Sequence, residues 1–149
     1  TDMQAAVGCA QLKKFPSLVE RRIHNFNYLK EALKGTEDKL ILPKACENSR
    51  PSWFGFLITC REGVDRNQIV QMIEAKGVQT RMLFAGNLTK HPCFDQMRAT
   101  GKGYRIAGTL ENTDRIMKDT FWIGVYPGMT DEMLEAMANA IKDAVNGEK

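Results

Sequence analysis

The chain has 149 residues, of which 43% are hydrophobic and 26% are charged, and this length and composition are typical of one folded domain. A net charge of +3 is too small to indicate a nucleic-acid-binding protein, and the basic residues are interleaved with acidic ones. No apolar stretch approaches the roughly 18 residues that a membrane-spanning helix needs. The four cysteines show no metal-ligand spacing, so we expect reduced thiols in a cytoplasmic protein.

The chain is predicted to begin with a long helical arm, residues 1–35. Residues 2–14 are rich in strong helix formers, and one face carries apolar residues, namely Met3, Val7 and Ala10. Pro16 is expected to kink or break the helix. A second amphipathic stretch follows and ends near Gly35, with apolar residues at spacings of three and four: Val19, Ile23, Phe26, Leu29 and Leu33.

The start of the sequence favours a piece of a longer protein. Thr1 is not a methionine, and helix-forming residues follow it at once, without a leader or a linker. On this interpretation residues 1–35 join a missing N-terminal large domain to a body over residues 40–149. We then expect the face formed by Met3, Val7 and Ala10 to be exposed.

The body is predicted to be α+β, with about three strands covered by helices. Aromatic and β-branched residues predict the strands, at residues 53–60, 78–83 and 120–125. Residues 40–43 are at most a short apolar stretch, and residues 84–108 form a long loop with one short helix near Asp95. Further helices are predicted at residues 65–77 and 112–119 and from Thr130 onward, the last with an apolar side made by Met133, Leu134, Met137, Ile141 and Val145.

No self-contained catalytic motif is present. The sequence lacks G-x-S-x-G, a phosphate-binding glycine loop and H-E-x-x-H. His24 lies within a predicted amphipathic helix and is interpreted as a surface or boundary residue. Cys93 is only two residues from His91, a separation that seldom suits proton transfer between a thiol and an imidazole. We therefore assign no catalytic residue and no metal site within this chain.

One segment, residues 81–92, has the composition of a site rim. It runs from the end of a predicted strand into the long loop and carries a cation, an aromatic ring, an amide, a hydroxyl and an imidazole: Arg81, Phe84, Asn87, Thr89 and His91. An arginine can pair with a phosphate or carboxylate, and the other polar groups can donate to sugar or phosphate oxygens. The alternative is an ordinary polar loop, and the residues alone do not decide between the two.

The same segment resembles a family signature. Residues 81–94 (RMLFAGNLTKHPCF) are similar to a motif of the sugar-nucleotide 3-dehydrases of lipopolysaccharide biosynthesis, the CDP-4-keto-6-deoxyglucose-3-dehydrase type. Residues 1–12 (TDMQAAVGCAQL) resemble the helix that follows the cofactor-bearing part in the wider DegT/DnrJ/EryC1/StrS sugar aminotransferase superfamily. Residues 112–130 (NTDRIMKDTFWIGVYPGMT) resemble the C-terminal stretch of the dehydrases.

The resemblance implies the small C-terminal domain of a fold-type-I enzyme that is normally a homodimer. Its relatives bind pyridoxal or pyridoxamine phosphate in a large N-terminal domain and remove the 3-hydroxyl of a 4-keto-6-deoxyhexose. In the dehydrases a histidine replaces the Schiff-base lysine, and a [2Fe-2S] cluster receives electrons from a reductase partner. All of these groups are expected outside this chain, so the 149 residues alone should bind no cofactor.

For this chain the resemblance implies a narrower role. Phe84, Asn87 and the loop through His91 match the small-domain segment that borders the substrate pocket, and Arg81 is a weaker member of that set. Two alternatives remain open. One is a fragment of a sugar-nucleotide aminotransferase, which a lysine at the missing catalytic position would favour. The other is a stand-alone, non-catalytic α+β binding module, with no missing partner.

Overall fold

A computed structural model describes residues 1–147 and begins with one long helix. Helix α1 spans Asp2–Ala32 and is continuous through Pro16, so the predicted break is wrong. Pro16 removes the hydrogen bond to the carbonyl of Leu12, but Leu12 is 71% exposed and water can serve that carbonyl instead. The chain then turns at Gly35, whose φ of +92° suits a residue without a Cβ.

The apolar residues of the arm behave differently along its length. Met3, Val7, Leu12, Phe15 and Leu18 are exposed, as is Ala10, which agrees with the exposed face expected for the first half of the arm. By contrast, Phe26, Leu29 and Leu33 are buried against the body. The C-terminal half of α1 is therefore part of the core, and the N-terminal half projects from it.

The body contains a four-stranded antiparallel sheet in the order β1-β2-β4-β3. The strands are β1 (Leu40–Ile41), β2 (Gly55–Cys60), β3 (Thr80–Met82) and β4 (Thr120–Gly124). The last three lie within the predicted strands. The additional strand, β1, forms because the turn after α1 places Leu40 beside Cys60 at the edge of the sheet.

Four helices complete the body: α2 (Arg66–Ala75), α3 (Asp95–Thr100), α4 (Glu111–Asp119) and α5 (Asp131–Asn146). The Asp65 side chain caps α2 by accepting from the backbone N–H groups of Asn67 and Gln68. The short α3 confirms the helix expected near Asp95, and two single 3₁₀ turns precede it at Leu88–Lys90 and Pro92–Phe94.

The core lies between one face of the sheet and the helices α1, α2 and α5. Phe56, Ile58, Phe121 and Ile123 have no exposed surface, and they alternate along β2 and β4 so that all four point to the same side. On α5 the predicted apolar side is buried at Leu134, Ile141 and Val145. Met133 is 41% exposed, because its position falls at the edge of the buried helix face.

Within residues 1–147, no helix combines the length and the apolar character that membrane crossing requires.

Candidate functional site

The second face of the sheet is only partly covered. Helix α4 packs across β2 and β4 at the end where Thr59 and Thr120 share a hydrogen bond of 2.9 Å between their hydroxyl oxygens. Toward the other end Leu57 and Trp122, which are register partners, stay half-buried. An open apolar surface therefore remains where β2 begins and β4 ends.

A groove of about 340 Å³ occupies this open surface. We call it the aromatic groove. Its walls and floor come from β2, β4 and the segments before β2 and after β3, and its lining residues are Pro43, Lys44, Trp53, Phe54, Gly55, Leu57, Leu83, Phe84 and Trp122. Concave, largely apolar surfaces of this volume are typical of small-molecule sites.

Trp122 is held firmly at the centre of the aromatic groove. Its indole Nε1 donates to the Met82 carbonyl at 3.1 Å, and the Phe54 ring packs edge-on against it at a centroid distance of 5.5 Å. Gly55 makes room for the indole, because a Cβ at that position would lie 2.7 Å from Trp122 Cε3. The ring is thus fixed from two sides and lies directly over a glycine.

Phe84 borders the aromatic groove in an uncommon conformation. Its φ is 45°, in the left-handed region that non-glycine residues rarely adopt, and its backbone N–H donates to the Met82 carbonyl at 2.8 Å. The ring is 75% exposed and lies 6.4 Å from Trp122 between centroids. An exposed aromatic ring on a strained backbone indicates a functional position more strongly than a packing one.

The loop after Phe84 is tied to α4 through Asn87. The Asn87 side chain is buried, donates to Asp114 Oδ1 at 2.7 Å and accepts from the Thr89 backbone N–H at 3.0 Å. Lys90 Nζ lies 2.9 Å from Asp114 Oδ2. The hydrogen bonds from Lys90 and Asn87 lower the pKa of the Asp114 carboxyl below its usual 3.8.

Thr89 and His91 also make hydrogen bonds inside the loop. Thr89 Oγ1 donates to Asn87 Oδ1 at 2.6 Å. His91 Nε2 lies 2.5 Å from the Ala85 carbonyl, and since a carbonyl only accepts, that nitrogen is the donor. These contacts close the loop just after Phe84 and fix its position beside the sheet.

The five predicted rim residues thus occupy two kinds of position. Phe84 lines the aromatic groove, and Arg81 is the register partner of Trp122 on β3, where it borders a second groove of about 420 Å³ beside Tyr126 and Met133. Asn87, Thr89 and His91 are engaged within the loop itself. Their proposed contacts with sugar or phosphate remain predictions.

Sequence reasoning missed most of the aromatic groove. Trp53, Phe54 and Trp122 lie in segments that were predicted only as strands. When a strand is apolar on both faces, either both faces are covered by other parts of the protein, or one face is covered and the other can contact a ligand. The glycine inside that strand, Gly55, was the available clue to a close approach.

The cysteines and acidic residues give no metal centre in the described part of the chain. Within residues 1–147, no group of three or more His, Cys, Asp or Glu side chains could hold a metal ion. Cys9, Cys46 and Cys93 are exposed, whereas Cys60 is buried in the core. Burial, together with the charge of Asp119, raises the pKa of the Cys60 thiol to about 11, so it is an unreactive core residue.

Two curated relatives match nearly the whole chain. It is 48% identical over 145 residues to the lipopolysaccharide biosynthesis protein RfbH of Salmonella typhimurium, which covers 96% of this chain and 32% of that protein. It is 43% identical over 147 residues to a dTDP-4-dehydro-2,6-dideoxy-D-glucose 3-dehydratase of Saccharopolyspora spinosa, covering 97% of this chain and 30% of that protein. The chain therefore spans about a third of the length of these relatives.

Solved structures share the fold. An E. coli GDP-4-keto-6-deoxy-D-mannose-3-dehydratase with bound hydrated PLP aligns with a TM-score of 0.75 at 23% identity, covering 93% of this chain and 34% of that one. The aminotransferase TlmJ of Streptoalloteichus hindustanus aligns with a TM-score of 0.78 at 18% identity, covering 96% of this chain and 36% of that one. At these identities the likeness establishes the α+β fold alone.

The family assignment rests on a match that covers most of the chain. Residues 1–142 match the profile of the DegT/DnrJ/EryC1/StrS aminotransferase family. This chain belongs to that family.

Proposed function

We propose that this chain is the small C-terminal domain of a longer, cytoplasmic enzyme, a pyridoxamine- or pyridoxal-phosphate-dependent sugar-nucleotide 3-dehydrase. Its substrate would be a nucleotide-linked 4-keto-6-deoxyhexose of lipopolysaccharide or deoxysugar biosynthesis. The observation that carries this proposal is the identity of 48% and 43% to RfbH and to a 3-dehydratase along 96% and 97% of the chain. The parent is further proposed to be a homodimer that receives electrons from a reductase.

In the parent enzyme this chain would supply one wall of the substrate pocket. Phe84 and Arg81 are the predicted rim residues whose side chains are exposed beside Trp122. Asn87, Thr89 and His91 would act by holding the loop that carries Phe84, through their hydrogen bonds to Asp114 and the loop backbone. The chain would therefore orient the substrate and exclude water from it, and it would not carry the proton-transfer step.

The aromatic groove lacks the groups that would bind the whole cofactor. The aromatic groove is lined by one cation, Lys44, and by no carboxylate or hydroxyl side chain among the residues that the structure describes. A pyridoxal phosphate site needs a phosphate cradle and a partner for the ring nitrogen. We propose that the cofactor, the catalytic base and any [2Fe-2S] ligands lie outside this chain, in the part of the parent that it does not cover. The cofactor, when bound there, supplies the electron sink for the reaction.

The projecting half of α1 supports a missing large domain. Met3, Val7, Leu12, Phe15 and Leu18 expose apolar surface along about four turns of helix, and a soluble protein rarely leaves such a surface without a partner. About two thirds of each curated relative lies outside the matched region. We propose that the large domain packs against this face.

The proposed function is tested on the full reading frame. The complete protein, loaded with pyridoxamine phosphate and supplied with a nucleotide-linked 4-keto-6-deoxyhexose, a reductase and the two-electron donor of that reductase, should release water and yield a 3-deoxy sugar by NMR. A histidine at the upstream catalytic position should accompany this activity. Formation of a 4-amino sugar with glutamate as the amine donor, together with a lysine at that position, would instead support the aminotransferase alternative that the family description favours.

A reading frame that encodes only these residues would overturn both enzymatic proposals. In that case the chain would be a stand-alone binding module.

A further inference from the structure

The aromatic groove has an unusually uniform chemistry for a surface that borders a polar substrate. Four of its lining residues are aromatic, namely Trp53, Phe54, Phe84 and Trp122. All of its lining residues belong to the described part of the chain, and among them Lys44 is the one charged side chain. The groove therefore offers flat apolar rings together with a single positive charge at its edge.

The combination of aromatic rings and one positive charge limits the class of ligand that the groove can bind. Aromatic side chains bind planar heterocycles by stacking, largely irrespective of which base is presented. A neutral sugar ring would need several hydrogen-bond donors and acceptors, and the lining offers no hydroxyl, amide or carboxylate side chain. A pyridine cofactor would need a carboxylate or an arginine at its ring nitrogen and a phosphate cradle. A nucleobase that continues into a diphosphate needs only stacking rings and a cation.

The fixed geometry of the groove supports a binding role. Trp122 is locked by its hydrogen bond to Met82 and by Gly55 beneath it. Phe84 is held out at a positive φ by a loop whose polar groups are satisfied internally. The distance between the two ring centroids, 6.4 Å, is therefore fixed in the absence of a ligand. A preformed site loses less entropy when a ligand binds.

We infer that the aromatic groove binds the nucleoside diphosphate part of the sugar nucleotide, with the base stacked against Phe84 and Trp122 and the diphosphate beside Lys44. The inference rests on the proposed function, because it takes its ligand from the nucleotide-sugar substrate. The groove's volume of about 340 Å³ accommodates a base, while the ribose and the phosphates extend past the rim. Arg81, on the far side of Trp122, is available to the sugar end.

The test uses the two tryptophans as reporters. Trp53 and Trp122 are the chain's only tryptophans, and both line the groove, so intrinsic fluorescence, excited at the red edge where bases do not absorb, reports on its occupancy. dTDP should quench this fluorescence saturably, thymidine should do so with lower affinity, and inorganic pyrophosphate should leave it unchanged. Saturable quenching by pyridoxamine phosphate with none by dTDP would overturn the inference.

Variants that keep both tryptophans can distinguish base stacking from a simple change in side-chain volume. Phe84→Leu should weaken dTDP binding about 5- to 150-fold, the range expected for one base–aromatic contact, and Phe84→Tyr should restore it. Leucine and tyrosine both carry a Cβ, so the strained backbone is the same in each. Phe15→Leu, at an exposed aromatic residue on α1, is the matched control and should change nothing. Equal affinity of the Phe84→Leu variant and the unaltered chain would contradict the stacking role.

Lys44 is tested by comparing ligands. Lys44→Ala should weaken dTDP about two- to fivefold, as expected for an exposed charge contact, and should leave thymidine unaffected. Lys102→Ala, at an exposed lysine in the loop before α4, is the control. Loss of thymidine affinity in the Lys44→Ala variant would contradict the assigned role.

The inference and the proposed function can fail separately. If the full-length enzyme dehydrates its substrate and the Phe84→Leu variant has an unchanged KM, the base does not stack on Phe84 and the proposed function still stands. If dTDP binds as described but the full-length enzyme performs no dehydration, the groove assignment stands and the 3-dehydrase proposal fails.

Discussion

The two faces of the sheet are built from the same strands and both carry large apolar residues, yet they are covered to different extents. The inner face, with Phe56, Ile58, Phe121 and Ile123, has no exposed surface and lies under three helices. The outer face, with Leu57 and Trp122, stays half-open. Large apolar side chains therefore do not by themselves distinguish the closed core from the open face in this chain.

What separates the faces is how their side chains are positioned. Inner-face residues are fixed by close packing from all sides. On the outer face Trp122 is fixed by a hydrogen bond to Met82 and by the missing side chain of Gly55, and Phe84 by a strained backbone. Such devices keep an aromatic ring in place without covering it, which is the requirement for a stacking surface.

The largest difference between the faces should appear on truncation of neighbouring residues. Phe56→Ala on the inner face should lower the free energy of unfolding by about 3–5 kcal/mol, because it leaves a cavity in a closed core. Leu57→Ala, the next residue but on the outer face, should cost less than about 2 kcal/mol, since its side chain already meets solvent. Urea unfolding followed by circular dichroism measures both, and equal losses would mean that the outer face is also core.

Thiol reactivity should distinguish the inner face from the surface. Cys60 lies on the inner face, where burial raises the pKa of its thiol from 9.0 to about 11, so its thiolate fraction at neutral pH falls about 100-fold. Cys9, Cys46 and Cys93 are exposed. A thiol reagent at pH 7.5 should modify three cysteines at once and the fourth only on unfolding. The Cys60→Ala variant should lose only the slow phase.

A pair of glycines on the outer face gives a sharper test. Gly55 and Gly124 are register partners, but a Cβ on Gly55 would lie 2.7 Å from the Trp122 ring, whereas one on Gly124 would meet nothing within 4 Å. Gly55→Ala should displace the indole, shift its emission and cost about 1–3 kcal/mol. Gly124→Ala should change the unfolding free energy by no more than about 0.5 kcal/mol. An unshifted emission spectrum in Gly55→Ala would show that the indole is not confined there.

Sequence periodicity predicted most of the fold because the core obeys it. The strands around Phe56 and Phe121 and the helix face of Leu134 and Ile141 follow the spacings of two and of three to four that place side chains on one side. Pro16 misled because the carbonyl that it leaves unpaired, at Leu12, lies on an exposed stretch where water can serve it, and α1 continues through it. The two-residue β1 depends on a tertiary contact with Cys60 and has no periodicity of its own.

The candidate site could be predicted only in part. Phe84 and the loop after it stand out by composition and by family resemblance, so residues 81–92 were predicted as a rim, and of the five residues named there Phe84 lines the groove. The rest of the groove requires knowing which face of β2 and β4 the helices leave open, and that is a property of the packed molecule. Trp122 is the clearest case, because an aromatic residue in an apolar strand is indistinguishable from core until the covering helices are placed.

The smallest expected effect concerns the loop that carries Phe84. The attachment of this loop to α4 depends on the charge of Asp114, whereas the packing of the inner face does not. The contacts with Lys90 and Asn87 lower the pKa of Asp114 from 3.8. These contacts are therefore complete above pH 3.8 and are lost as the pH falls through the lowered pKa. In an NMR titration the side-chain amide of Asn87 should therefore shift with a midpoint below 3.8, before the core unfolds. Asp114→Asn should abolish that transition, while the inner-face signals of Phe56 and Ile58 stay unchanged over the same range. A midpoint at or above 3.8 would mean that Asp114 does not tie the loop to α4, and the fixed position of Phe84 would then need another cause.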